Sequence, residues 1–188
     1  MILKGTCPLS TERLNLRRIE LNDYKSAYEN IFSNYKIADA TITKKHVSPL
    51  ETKTLFEYYE REYINLYTYR WIIEKKDTKE VIGIIEILPS KYSIFDVYEI
   101  GYCISEKDWN NGYATESIKE VIKFMFEETD INVIYAESPE KNKASQKVLE
   151  KVNMKYESIL RNRMIDKSGN KISLKSYSIT KEDYKKSS

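Results

Sequence analysis

With 188 residues, 31 Lys and Arg against 29 Asp and Glu, and a net charge of +2, the chain has the size of one domain and lacks the broad basic footprint of a nucleic-acid binder. Five glycines, four prolines and no long apolar run exclude a flexible linker, a low-complexity tract and a membrane-spanning helix. One histidine, His46, and two cysteines, Cys7 and Cys103, without CxxC spacing exclude a usual zinc site and leave a histidine-dependent hydrolase resting on the charged run "KKHVSP".

A chain of this length buries about 70% of its unfolded surface, so it needs no disulfide or metal to hold it. The N-terminal apolar stretch is too short for a signal peptide. The chain therefore reads as a single soluble, cytoplasmic domain over 1–188, with no metal, nucleic acid or membrane among its partners.

The first element is a strand, "RLNLRRI" (13–19), alternating apolar and polar residues. Asn22 and Asp23 are placed to cap a helix whose apolar face is Tyr24, Ala27, Tyr28, Ile31, Phe32 and Tyr35. Residues 37–47 read as a loop. A second helix opens at "SPLE", with Ser48 as N-cap, Pro49 as N1 and Glu51 closing a capping box, and buries Leu55, Tyr59, Tyr63 and Leu66. "YRWIIEK" (69–75), "EVIGIIEILP" (80–89) and "DVYEIGYCI" (96–104) predict an antiparallel meander. After "DWNNGYATES" comes a helix with Ile118, Val121, Ile122 and Met125 on one face. Then follow a strand, "NVIYAESP" (132–139), and a helix from Asn142 burying Ala144, Val148, Leu149 and Val152. A closing hairpin turns at "DKSGN". The order is β-α-α-β-β-β-α-β-α-β-β, an α/β (α+β) mixed sheet with one parallel β-α-β crossover.

The stretch "DWNNGYATES" joins a strand to a helix. The first four N–H groups of a helix have no internal partner and form the positive end of its dipole, so a phosphate fits there. Close approach needs small residues, which Gly112, Ala114 and Thr115 supply. An ordinary helix cap explains the same residues. No GK[ST] and no GxGxxG is present, so this is neither a P-loop nor a dinucleotide fingerprint.

"WNNGYA" resembles the Q/R-x-x-G-x-G/A acyl-CoA signature of the GNAT-superfamily N-acetyltransferases, with Trp109 in the Gln/Arg place. "TERLNLRRI", "YEIGYCIS", "NKASQKVLEKVNM" and "SYSITKEDY" follow the family in order, most similarly to its RimJ/RimL-like branch, the ribosomal-protein N-terminal acetyltransferases. The resemblance covers almost the whole chain. It implies a GNAT-like acyl-CoA N-acyltransferase fold, acetyl-CoA as cosubstrate and an amine acceptor, either a small molecule or a protein N-terminus. A homodimer is compatible with it. The pyrophosphate is then expected on the backbone N–H groups of Asn110, Asn111, Gly112, Tyr113, Ala114 and Thr115. The pantetheine arm is expected along Cys103 and Ile104, and Asn142 falls on the family's cofactor-arm asparagine, a place where an N-cap is also natural.

Acetyl transfer needs a neutral amine, a stabilised thioester oxygen and a protonated or stabilised thiolate. Glu99 in "YEIGY" is the candidate base, because a carboxylate within a central strand is costly unless it is paired or functional. Glu86 is the second candidate. The Ile104 N–H is a candidate donor to the carbonyl. Leu149 stands where many of these enzymes carry an acidic tyrosine, so Ser145, Tyr135 or water is left to serve the sulfur. The vacant tyrosine place also keeps open a non-catalytic acyl-CoA-binding or sensor domain of the same fold.

Overall fold

The computed structural model describes residues 2–41, 43–90, 96–166 and 168–187. Eight strands form one sheet: β1 (Leu9–Ser10), β2 (Leu14–Arg17), β3 (Tyr69–Lys75), β4 (Val81–Pro89), β5 (Val97–Ile104), β6 (Val133–Pro139), β7 (Lys155–Ile165) and β8 (Lys171–Thr180). Their spatial order is β1-β2-β3-β4-β5-β6-β8-β7. Every neighbouring pair is antiparallel except β5 and β6, the expected parallel step. A parallel pair needs a crossover, and α4 (Tyr113–Glu128) supplies it.

Side chains alternate across each strand, so both faces of the sheet must be covered. Tyr69, Trp71 and Ile73 of β3 join one core with Ile118, Val121 and Met125 of α4 and Leu149 of α5 (Lys143–Lys151). Ile72 of β3 and Ile84 of β4 join a second core with Ala27 of α1 (Tyr24–Ala27), Ile37 of α2 (Tyr35–Thr41) and Phe56 of α3 (Pro49–Glu62). The sheet thus separates α1–α3 from α4 and α5.

The structure departs from the sequence reading at several helix ends. Residues 35–41, read in part as loop, form α2, because the Asn34 Oδ1 accepts the N–H groups of Lys36 and Ile37 at 2.8 and 3.3 Å and Ile37 and Ala38 find burial. Ile42, inside the same predicted loop, and Lys167, inside the predicted hairpin turn, lie outside the described residues. The first helical segment begins earlier than expected. Glu20 and Asp23 form a reciprocal capping box around a 3-10 turn, and the chain widens into a π turn at Tyr28–Phe32.

Ser48 and Pro49 are N-cap and N1 of α3 as expected, but the Ser48 side chain makes no capping bond, and Glu51 accepts from the Val47 N–H at 2.9 Å instead. The buried face of α3 runs through Thr52 and Phe56, with Leu66 exposed beyond its end. Ala144 of α5 is exposed. A last helix, α6 (Lys181–Ser187), is added, capped by mutual bonds between Thr180 and Asp183. "TKED" is an S/T-x-x-D/E capping signal that the sequence displays.

Two backbone features shape the centre of the sheet. The β3–β4 register shifts by one residue between Ile73 and Glu74, where Ile82 of β4 is the extra, bulged residue. A Cβ on Gly83 would come within 2.6 Å of the Cys103 carbonyl oxygen, so only glycine lets β4 and β5 approach there. β5 pairs with β6 over three positions, the last being Glu99 with Tyr135, after which the two strands part.

Candidate active site

The parting of β5 from β6 sets the site. β6 continues to pair with β8 up to Pro139, while β5 runs on to Ile104 with no strand among the described residues on its far edge. A free strand edge presents unpaired N–H and C=O groups to any extended chain laid along it. Cys103 and Ile104 lie on this stretch. The Ile104 carbonyl is engaged: the Trp109 indole N–H donates to it at 2.8 Å. Trp109, at the place of the family's Gln/Arg, thus ties the loop back to the end of β5. Burial pushes the Cys103 thiol up to about 12, which makes it a poor nucleophile.

The loop after β5 leads into α4. Gly112 is the N-cap of α4 at φ +82, the left-handed region that costs glycine nothing, and Asn110 also has positive φ. The first helical hydrogen bond runs from the Glu116 N–H to the Gly112 carbonyl. The backbone N–H groups of residues 110–115 find no acceptor among the described residues. A row of unpaired donors at the positive end of a four-turn helix, with an open glycine at its centre, fits a diphosphate such as that of acetyl-CoA. The loop rests on Asp108, buried and ion-paired to Lys75 at 2.5 Å.

Alternation along β5 sends its polar side chains to opposite faces. Cys103 packs in the core shared with α1–α3, which assigns Glu99 and Gly101 to that face; Tyr102 packs against the α4–α5 core. Glu99 accepts a hydrogen bond from the Tyr135 hydroxyl at 2.9 Å. Burial pushes the Tyr135 phenol up to about 12, with the Glu99 charge adding to the rise, so the ring stays protonated as a donor. Tyr135 therefore stands beside the candidate base and not beside Ser145. Glu86 sits opposite Gly101, and its Oε2 accepts from the Nε of the buried Arg70 at 2.9 Å. That cation stacks on Tyr59 at 3.7 Å. Of the two carboxylates, Glu86 is bound to a permanent cation and Glu99 to a neutral hydroxyl.

On the other face, the Ser145 Oγ lies 2.9 Å from the Tyr102 hydroxyl, a bridge from β5 to the first turn of α5. Burial raises the Tyr102 phenol to about 12, against the opposing pull of the Ser145 bond. Tyr102 escaped the sequence reading because "YEIGYCI" looks like an ordinary apolar strand and only the tertiary contact reveals its partner. Leu149 is wholly buried in the core. Asn142 is the N-cap of α5: its Oδ1 accepts the Ser145 N–H at 3.0 Å, and its Nδ2 donates to the Ala40 carbonyl at 3.0 Å. The capping role expected of it is present, and its amide also tethers α2, which packs against β5 and β6 beside the parting strands.

Comparison with known proteins agrees with this fold. Residues 13–155 match the family described as "Acetyltransferase (GNAT) domain". The chain is 33% identical over 181 residues to the uncharacterized N-acetyltransferase YoaA of Bacillus subtilis, covering 92% of this chain and 96% of that protein. Among solved structures, RimL, the ribosomal L7/L12 alpha-N-protein acetyltransferase in complex with coenzyme A, superposes with a TM-score of 0.84 at 15% identity, covering 94% of this chain and 99% of the other. The spermidine N-acetyltransferase from Vibrio cholerae, in complex with CoA and spermine, superposes at 0.78 and 21% identity, with coverages of 91% and 97%. These two share the fold. A family match across three quarters of the chain and a relative one-third identical over nearly all of it carry the assignment further: the chain belongs to the GNAT acetyltransferases, enzymes that acetylate amines at the expense of acetyl-CoA.

Proposed function

We propose that the chain acts as a single cytoplasmic domain of the RimJ/RimL-like kind. In this reading it moves the acetyl group of acetyl-CoA directly to a primary amine, a protein N-terminus or a small amine, in a ternary complex. The observation that carries this reading is the position of Glu99, at the last paired residue before β5 and β6 part, on the strand that leads into the unpaired N–H groups of 110–115. The amine approaches from the face of Glu99, Tyr135 and Glu86. Its nitrogen forms the C–N bond as the C–S bond breaks, and its proton passes to the Glu99 carboxylate, directly or through water. The poor reactivity of Cys103 supports direct attack over an acetyl-cysteine route. Two free thiols, Cys7 and Cys103, are consistent with a reducing compartment.

The test is thiol release from acetyl-CoA with a panel of small primary amines and peptides bearing free N-termini. The expected result is CoA release that depends on the amine and matches acetylated product mole for mole. CoA binding with no amine-dependent release across the panel would establish the sensor reading instead.

The sulfur is served by Ser145 and Tyr102 together. A thiol of ordinary pKa, about 8.5, gives a thiolate too weak as a base to strip a phenol whose pKa is near 12. The pair therefore stabilises the departing sulfur by a hydrogen bond more than by full proton transfer. Such a bond to a charged group is worth ~1.5–3 kcal/mol, so Ser145→Ala and Tyr102→Phe should each lower kcat about tenfold and leave acetyl-CoA affinity nearly unchanged. Because the two hydroxyls act as one unit, the double variant should be little slower than either single one. Wild-type kcat in both single variants means that the thiolate leaves unaided.

A further inference from the structure

We propose that Arg13, in the turn between β1 and β2, is a phosphate-binding residue of the acyl-CoA site. The proposal rests on the reading that acyl-CoA phosphate sits at 110–115. The chain's N-terminal hairpin lies far from that loop in sequence, and no part of the loop motif points to it. In space, Arg13 Nη2 is 3.5 Å from where a Cβ on Gly112 would sit, so the guanidinium borders the open side of that glycine. Its carbon lies 4.4 Å from the centre of the Tyr113 ring, which fixes the plane of the group against the start of α4.

The simplest alternative is that Arg13 only staples β2 to α4. Glu116 is indeed gripped: it accepts from Arg13 Nε at 2.7 Å, from the Arg13 backbone N–H at 3.0 Å and from Thr11 Oγ1 at 2.6 Å, and lies 2.6 Å from Arg13 Nη2. Burial alone would raise the Glu116 carboxyl, but these hydrogen bonds and the Arg13 charge hold it below the usual carboxylate range. A carboxylate in the first turn of α4 suits the helix dipole yet would repel a phosphate, and Arg13 cancels that charge.

A staple does not use the whole group. A guanidinium has five N–H donors, and Nη1 makes no bond among the described residues, while the side chain is 44% exposed beside the phosphate loop. The other cations nearby are engaged elsewhere: Lys75 with Asp108 and Glu80, and Lys107 with Glu80. Arg13 is thus a cation already oriented by Glu116 and Tyr113, with planar donors left over at the edge of the loop. That geometry suits a phosphate oxygen. CoA offers two sources of this chemistry, its pyrophosphate and its ribose 3′-phosphate.

The experiment compares wild type, Arg13→Gln and Glu116→Gln. Calorimetry gives dissociation constants for CoA and for dephospho-CoA, which lacks the 3′-phosphate. Kinetics give KM for acetyl-CoA and for S-acetylpantetheine, which lacks both phosphate groups of the nucleotide end, and thermal melts check folding. In Arg13→Gln the CoA dissociation constant should rise about tenfold, as expected for one lost charge-assisted hydrogen bond, with kcat and KM for S-acetylpantetheine held. Equal loss on CoA and dephospho-CoA assigns the pyrophosphate, and loss on CoA alone assigns the 3′-phosphate; both support the proposal. Glu116→Gln, which breaks the staple but keeps the cation, should bind CoA at least as well as wild type. Wild-type CoA affinity in a folded Arg13→Gln variant overturns the proposal. So does the same loss of CoA affinity in both variants, or a loss that extends to S-acetylpantetheine. Failure of the wild type itself to bind CoA would instead sink the reading of the loop.

Discussion

Glu99→Gln is expected to lower kcat by about 10²–10⁴-fold, the usual contribution of a positioned general base, with the affinity for acetyl-CoA nearly unchanged. Glutamine keeps the shape of the side chain and can still accept from the Tyr135 hydroxyl, which lies 2.9 Å from the native carboxylate. What it loses is the ability to take a proton from the incoming amine. Steady-state kinetics with a saturating amine check the expectation, and Glu86→Gln is the comparison. Glu86 faces the same side, opposite Gly101 and two pairs further along β5, but its charge is balanced by the buried guanidinium of Arg70. Glutamine there can still accept from Arg70 but removes the counter-charge of that buried cation, so Glu86→Gln should lower thermal stability more than Glu99→Gln does and reduce kcat less. Equal kcat in the Glu99 variant and the wild type would remove Glu99 from the mechanism, and a large fall in the Glu86 variant alone would put Glu86 in its place.

Gly112→Val should weaken acetyl-CoA binding about a hundredfold or more, a loss of ~2.7 kcal/mol. Two effects add. Valine at φ +82 carries the strain of the left-handed region, roughly 1–2 kcal/mol, which shifts the loop. Its two methyl groups would also fill the space in front of the unpaired N–H groups, where a phosphate oxygen must approach to hydrogen-bonding distance. Gly112→Ala separates the contributions, since it brings the strain with little bulk. A Cβ there meets only Arg13 Nη2, at 3.5 Å, so alanine should cost affinity modestly and valine severely. Isothermal titration with CoA, beside a melt showing that the valine variant stays folded, checks the result. Undiminished affinity in that variant would mean that the loop does not hold the pyrophosphate.

The two predictions differ in how early their residues could be seen. Gly112 was legible because local chemistry defines it: a glycine between a strand and an amphipathic helix, with small residues after it, is a pattern of neighbours in sequence. The strands were legible for the same reason, since the apolar runs of "YRWIIEK" and "EVIGIIEILP" flank the turn "KDTK" as a hairpin does, and β3 matches its expected limits. Asn142 as the cap of α5 follows from one side chain and the N–H three residues on. The helix α2 was not legible, because "YKIADAT" carries little periodicity and becomes helical through burial of Ile37 and Ala38 and a tether from Asn142, about a hundred residues away.

What the sequence determined by itself was therefore most of the strands and helices, set by periods of two and 3.6 residues, and the glycine turn before α4, set by turn and cap chemistry, while the family resemblance rested on the order of its motifs. What only the tertiary structure decided was how distant side chains combine. The parting of β5 from β6 after Glu99, the Tyr135 hydroxyl on that carboxylate, the Tyr102–Ser145 bridge and Arg13 beside Gly112 each join residues 36 to 99 positions apart, or depend on strands that pair in space. Local rules carry no information about such pairs, because the free energy that fixes them comes from packing two cores on opposite faces of one sheet. That packing decides which side chains meet at the strand ends.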